Sequence, residues 1–114
     1  MLICRPSVTD TTVFISLPVE DFPEYQAPWC KVFRPDQLRL AYFVLSALQN
    51  KDNKEQLGIS GHVIFWLNDD HYESDGRVLH VTFLSENPVS YTLSHKEALL
   101  LAKTLVDVYS ENEE

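Results

Sequence analysis

Apolar and polar residues alternate at every second position over residues 11–19, "TTVFISLPV", where Val13, Ile15 and Leu17 interleave with Phe14 and Ser16. That period, rich in β-branched and aromatic side chains, predicts a strand ended by Pro18, which has no N–H to give to a ladder. A shorter strand is expected before it at residues 2–4, stopped by Pro6. From residue 18 to 30 the alternation lapses. Prolines at 18, 23 and 28 exclude a regular helix. The segment "PVEDFPEYQAPWC" is therefore expected to be an extended loop carrying Phe22, Tyr25 and Trp29 among Glu20, Asp21 and Glu24, with a brief strand at 31–33.

The hydrophobic period then changes to that of a helix. "RPDQLRLAYFVLSALQN" predicts a helix over 35–50, with Pro35 in its first turn, Asp36 at the positive end of the dipole and Asn50 as C-cap. Its polar positions, Arg39, Ser46 and Asn50, fall in one narrow stripe. A surface helix is polar over much more of its circumference. This one is expected to be covered on more than one side, by the sheet and by the proline loop, the second helix or another subunit. "KDNKEQLGISG" reads as a polar connector. Two strands follow at 62–68 and 77–84, flanking "NDDHYESDG", with Asp75-Gly76 as a turn dipeptide. "SENP" is the next turn and 89–93 a third strand. Ser94 and Glu97 form an S-x-x-E capping box ahead of a helix over 95–110. The acidic tail 110–114 is expected to fray.

The order β(β)-loop-α-β-β-β-α predicts an α+β fold, a single domain over 1–114 with an antiparallel sheet of four to five strands and two helices. The strand at 62–68 is apolar on both sides, so the sheet should be partly covered on both faces. An extended apolar second face would be a dimer or partner surface.

Composition narrows the function classes. The 114 residues are 45% hydrophobic, with three glycines, which suits a globular domain large enough to bury a core. Cys4 and Cys30 lie in no C-x-x-C pair, so both are expected as free thiols in a reducing cytoplasm. No secretory leader and no apolar run near ~20 residues is present, so no membrane partner is expected. A formal charge of −8 disfavours direct nucleic-acid binding, which needs a basic patch, and favours a protein partner with a basic surface.

Setting Gly76 at position 6 of an EF-hand loop puts His71 at 1, Glu73 at 3, Asp75 at 5 and Thr82 at 12. The first ligand and the bidentate glutamate are both wrong. A transition-metal site would rest on His71 with Asp69, Glu73 or Asp75, a single imidazole at a hairpin tip without supporting groups. "GISGH" resembles a nucleophile elbow, but His62 stands where the last glycine belongs and a strand follows it instead of preceding it. No phosphate loop or dinucleotide fingerprint is present, so no cofactor is expected. No catalytic residue and no metal ligand is assigned.

The sequence reading is therefore a small, acidic, non-enzymatic protein that binds another protein, as an inhibitor or adaptor. One specific form is a phage- or mobile-element-encoded inhibitor of nucleic-acid-handling machinery, of anti-CRISPR type, working in the host cytoplasm with its carboxylates in a groove meant for phosphates. The candidate partner-binding residues are Glu20, Asp21, Phe22, Glu24, Tyr25 and Trp29 in the proline loop, and Asp69, Asp70, Glu73 and Asp75 at the hairpin tip. The alternatives are a small metal-binding domain or enzyme using the 69–75 loop, and a structural homodimer through helix 35–50 or the second sheet face.

Overall fold

The computed structural model describes residues 1–24, 26–49, 56–69, 77–85 and 87–112, with the backbone alone at 68, 69 and 77. The fold is α+β and antiparallel with two helices, as the hydrophobic pattern predicts. The strands divide, however, into a three-stranded and a four-stranded sheet instead of forming one sheet of four to five.

The first sheet contains β1 (Ile3–Pro6), β2 (Val13–Ser16) and β3 (Trp29–Val32), in that order. Alternation on β2 and β3 sends Val13, Ile15, Cys30 and Val32 into the core, while Phe14, Trp29 and Lys31 take the outer face. Cys4 and Cys30 both pair with Ile15, one on each side. Two ladder spacings, about 10 Å, thus separate them, too far for a disulfide. Both are free thiols.

The second sheet runs β4 (Gln56–Ile59), β5 (Val63–Asp69), β6 (Arg77–Phe83) and β7 (Val89–Thr92). β4 lies inside the segment read as a connector. Leu57 and Ile59 are buried opposite Phe65 and Val63, whereas Gln56 and Gly58 face outward. A tight turn joins β4 to β5: Ser60 and Gly61 both have positive φ, and the His62 N–H donates to the Ile59 carbonyl at 3.1 Å. Two such residues give the turn the twist of the flanking strands. "GISGH" is this hairpin turn.

The outer face of this sheet covers itself. The register of β5 on β6 sets Leu67 opposite Leu79 and Trp66 opposite His80, which decides which side chains meet on each face. Trp66 stacks on His80, with centroids 4.2 Å apart, and its indole N–H donates to Thr82 Oγ1 at 2.8 Å. Thr82 in turn meets Ser90 Oγ at 2.8 Å, and His80 Nδ1 meets Thr92 Oγ1 at 2.9 Å. Part of the apolar surface of Trp66 is thus covered within the sheet.

α1 (Arg34–Leu48) and α2 (His95–Glu111) pack against each other, α1 also on β4 and β6, α2 on β1 and β2. The capping box is complete: Glu97 N–H donates to Ser94 Oγ at 3.1 Å, and Ser94 N–H to Glu97 Oε1 at 3.2 Å. Arg34 ties the start of α1 to the end of α2. Its guanidinium lies 3.9 Å from the Tyr109 ring centroid and donates to the Tyr109 carbonyl at 3.0 Å, where a cation also suits the helix dipole. Pro35 and Asp36 sit in the first turn of α1 as expected. The expected C-cap, Asn50, lies outside the described residues.

The solvent stripe of α1 differs from the expected one. Ser46 is buried, and the exposed positions are Pro35, Leu38, Arg39 and Tyr42, followed by Gln49 at the C-cap. Buried within that helix, Gln37 donates through Nε2 to the Thr11 and Val32 carbonyls at 2.7 and 3.1 Å, tying α1 to the first sheet. Buried residues of both sheets and both helices join in one cluster, with Ile15, Leu40, Phe65, Leu101 and Leu105 at its centre. No described helix is long and apolar enough to cross a membrane.

Candidate functional site

The described residues of the proline loop form a wall. Its ends are tied where the Leu17 N–H donates to the Pro28 carbonyl at 3.2 Å, extending the β2–β3 ladder. Between them, Val19–Asp21 forms a single 3-10 turn, closed by Asp21 N–H to Pro18 O at 3.2 Å and Phe22 N–H to Val19 O at 2.9 Å. The prolines supply bends without donors left to satisfy. Phe22 turns back against the core cluster, and Ala27 is buried. Trp29 opens β3 and stays 47% exposed.

Opposite this wall stand the β4–β5 turn and the β6–β7 connection. The Leu84 N–H donates to the His62 carbonyl at 2.8 Å, joining the two. Ser85 Oγ donates to the Asn87 carbonyl at 2.8 Å, steadying the connection. Between the walls lies an open groove of about 900 Å³. Residues 21–24 and 26–29 of the loop line one side. His62, Phe83, Leu84, Ser85, Asn87 and Val89 line the other.

Of the loop residues expected at a binding surface, Asp21, Phe22, Glu24 and Trp29 line this groove. Glu20 is exposed on the 3-10 turn, outside the lining. Tyr25 lies outside the described residues, as do Asp70, His71, Glu73 and Asp75. Asp69 ends β5, its backbone opposite Arg77. The groove sits at the other end of β5, about 20 Å along the strand. The fold therefore does not bring Asp69 to the loop carboxylates.

The far wall had no signal of its own in the sequence. The sequence pattern makes His62 and Leu84 strand ends and residues 85–88 a turn. "SENP" marks a reversal of the chain, but nothing local tells which loop it will face.

The groove is acidic and aromatic. Asp21 and Glu24 are its carboxylates, and among the described lining residues there is no lysine or arginine, with His62 the only base. Trp29 is held by stacking on Phe14, with centroids 5.8 Å apart and planes at 24°. Phe14 also carries the Arg5 guanidinium, 5.1 Å from its centroid. An anchor fixed in this way loses little side-chain freedom on binding.

Beside the groove, Glu97 gathers the start of the chain. Its Oε2 accepts from the Leu2 N–H at 2.7 Å and from the Tyr91 hydroxyl at 2.8 Å. Burial pushes the Glu97 carboxyl up, but hydrogen bonds from Leu2, Tyr91 and Ser94 outweigh it and hold the pKa below the ordinary value. Tyr91 is raised, first by burial and then by Glu97.

Other chemistry finds little support. Burial pushes the thiols of Cys4 and Cys30 up to about 11 and about 12. Both stay protonated near neutrality, which is unsuited to nucleophilic attack. Among the described residues, no group of three or more His, Cys, Asp or Glu side chains could hold a metal ion. Compared with known proteins, the chain matches no family model, no curated protein and no solved structure.

Proposed function

We propose that this protein acts by binding another protein, and that the groove between the proline loop and the β6–β7 connection is its docking site for a basic segment. The observation that carries this reading is the lining itself. Asp21 and Glu24 stand beside Phe22 and Trp29 in one concavity, with no described lysine or arginine to neutralise them. Aromatic anchors contribute area, and carboxylates steer and select a cationic partner. The chain's charge of −8 adds long-range attraction to a basic surface. In its most specific form the protein is an inhibitor whose carboxylates occupy a phosphate-binding groove of nucleic-acid-handling machinery. That form calls on the hairpin-tip carboxylates Asp69, Asp70, Glu73 and Asp75 as well as the loop.

A mixed lysine–arginine nonapeptide is the direct probe. It should bind with an affinity that falls about tenfold or more between ~50 and ~500 mM salt. The double variant Asp21→Lys/Glu24→Lys should weaken binding by a similar factor. Affinity indifferent to both salt and charge reversal would remove the docking reading. If only the tip reversals Asp69→Lys and Asp70→Lys had an effect, the docking site would move to the hairpin.

A further inference from the structure

We infer that the groove is an arginine pocket, in which the partner's guanidinium lies against the Trp29 indole and meets the carboxylates of Asp21 and Glu24. This rests on the reading of the groove as the docking site for a basic segment, and it adds the identity of the anchoring side chain.

The lining distinguishes between the two basic side chains. Lysine offers a compact, strongly hydrated charge that needs only a carboxylate. Arginine offers a flat, weakly hydrated cation that stacks on rings while its N–H groups reach oxygen acceptors at the edge. Trp29, half exposed, provides the ring, and Asp21 and Glu24 provide the acceptors in the same concavity. Either cation can sit over an indole, but only the flat guanidinium can stack on it while the N–H groups at its edge reach the carboxylates.

The protein already builds this combination within itself. Arg34 lies over the Tyr109 ring at 3.9 Å while its Nη1 donates to the Tyr109 carbonyl at 3.0 Å, a guanidinium on a ring face with an oxygen at its edge. Arg5 lies over Phe14 at 5.1 Å, and Phe14 is the ring against which Trp29 stacks. The groove presents the same two components, an aromatic face and oxygen acceptors, with no described arginine of the chain among its lining residues.

Preorganisation points the same way. Trp29 is fixed by its stack on Phe14 and by the ladder, with Ser16 opposite it. Pro23 and Pro28 stiffen the loop that carries the carboxylates. A guanidinium entering this site meets a ring that is already fixed, so little side-chain freedom of Trp29 is lost on binding. The volume of about 900 Å³ exceeds one side chain, and Leu84 and Val89 on the far wall suit an apolar residue beside the arginine.

Three short Gly/Ser peptides test this by NMR titration of the whole chain. They are identical except for a central Arg-Leu, Lys-Leu or citrulline-Leu, citrulline being the neutral counterpart of arginine. The arginine peptide should move the Trp29 indole N–H and the amides of Phe22, His62 and Leu84. It should bind about fivefold more tightly than the lysine peptide and about tenfold more tightly than the citrulline peptide. Trp29→Leu should abolish the preference for arginine over lysine, and Trp29→Phe should retain part of it. Asp21→Asn/Glu24→Gln should weaken both cationic peptides together. Unchanged amide shifts in the core show that each variant is folded.

Equal affinities for arginine and lysine at the groove would overturn the arginine assignment and leave the basic docking site standing. So would a preference that survives Trp29→Leu, or a citrulline peptide that binds as tightly as arginine. No binding by either cationic peptide, or shifts confined to another surface, would overturn both readings.

Discussion

Glu97 shows how much one side chain can hold together. It closes the capping box of α2, accepts the Leu2 N–H and receives the Tyr91 hydroxyl. Ser94 and Glu97 announce the capping box through their spacing. The other two bonds join residues far apart in the chain and become visible only in the fold. A carboxyl whose folded pKa is lowered contributes stability above its ordinary value, 4.5, and loses it as pH falls through the lowered value. His80 is also lowered, by burial beneath its stacked neighbour, from 6.5. As a base it too favours the folded state above that value, and the benefit is lost on acidification. Wild-type stability should therefore fall in two stages, first below about 6.5 and then below about 4.5. Denaturant titrations across that range should show Glu97→Gln shrinking the lower stage, to which Asp10, held low by hydrogen bonds from Thr12 and Lys31, also contributes, and keeping the upper one. The same substitution should cost about 1 kcal/mol at neutral pH, because a neutral amide accepts the Leu2 and Tyr91 hydrogen bonds less strongly than a carboxylate does.

Among the elements, legibility followed the length and strength of the pattern. β5 and β6 are seven residues each, and α2 carries its own start signal, so all three stand close to where the sequence puts them. β4 has only Leu57 and Ile59 as apolar positions, set among polar residues, and becomes a strand by pairing with β5. α1 has a clear period, but apolar residues surround it, so its sequence does not say which side stays bare. Packing against α2, β4 and β6 buries Ser46 and leaves Tyr42 74% exposed. The β4–β5 turn carries a local conflict, because Ser60 holds a φ of 55°, where a Cβ is unfavourable. Ser60→Gly should stabilise the protein by about 0.5–1 kcal/mol, and Gly61→Ala, at φ 70°, should destabilise it by about 1 kcal/mol. Thermal melts of the two variants against wild type check both signs.

At the scale of the molecule, two separate sheets share one buried cluster, with Ile15 from the first and Phe65 from the second. They should therefore unfold together. Trp29 reports on the first sheet and Trp66 on the second, so Trp66→Phe and Trp29→Phe leave one reporter each. Fluorescence of the two variants in denaturant should give coincident transitions. Ile15→Ala and Phe65→Ala should each lower the midpoint of both, by about 2–5 kcal/mol in stability. A sheet that melted separately would show as two midpoints. The same shared core explains the position of the groove, which opens where the loop of the first sheet meets the turns of the second.

The chain by itself determined the fold class, the helices, the long strands and the acidic aromatic character of the proline loop. Those properties depend on period, propensity and charge, all carried by neighbours in sequence. Only the tertiary structure decided that the strands form two sheets, that β4 exists, and that His62, Leu84 and Val89 face Asp21, Glu24 and Trp29 across a groove. The same placement separates Asp69 from the loop carboxylates, at the other end of β5. The physical reason is common to all three. Which loops become neighbours depends on how the sheets share one core, and an exposed loop residue carries little trace of the partner that packing sets opposite it.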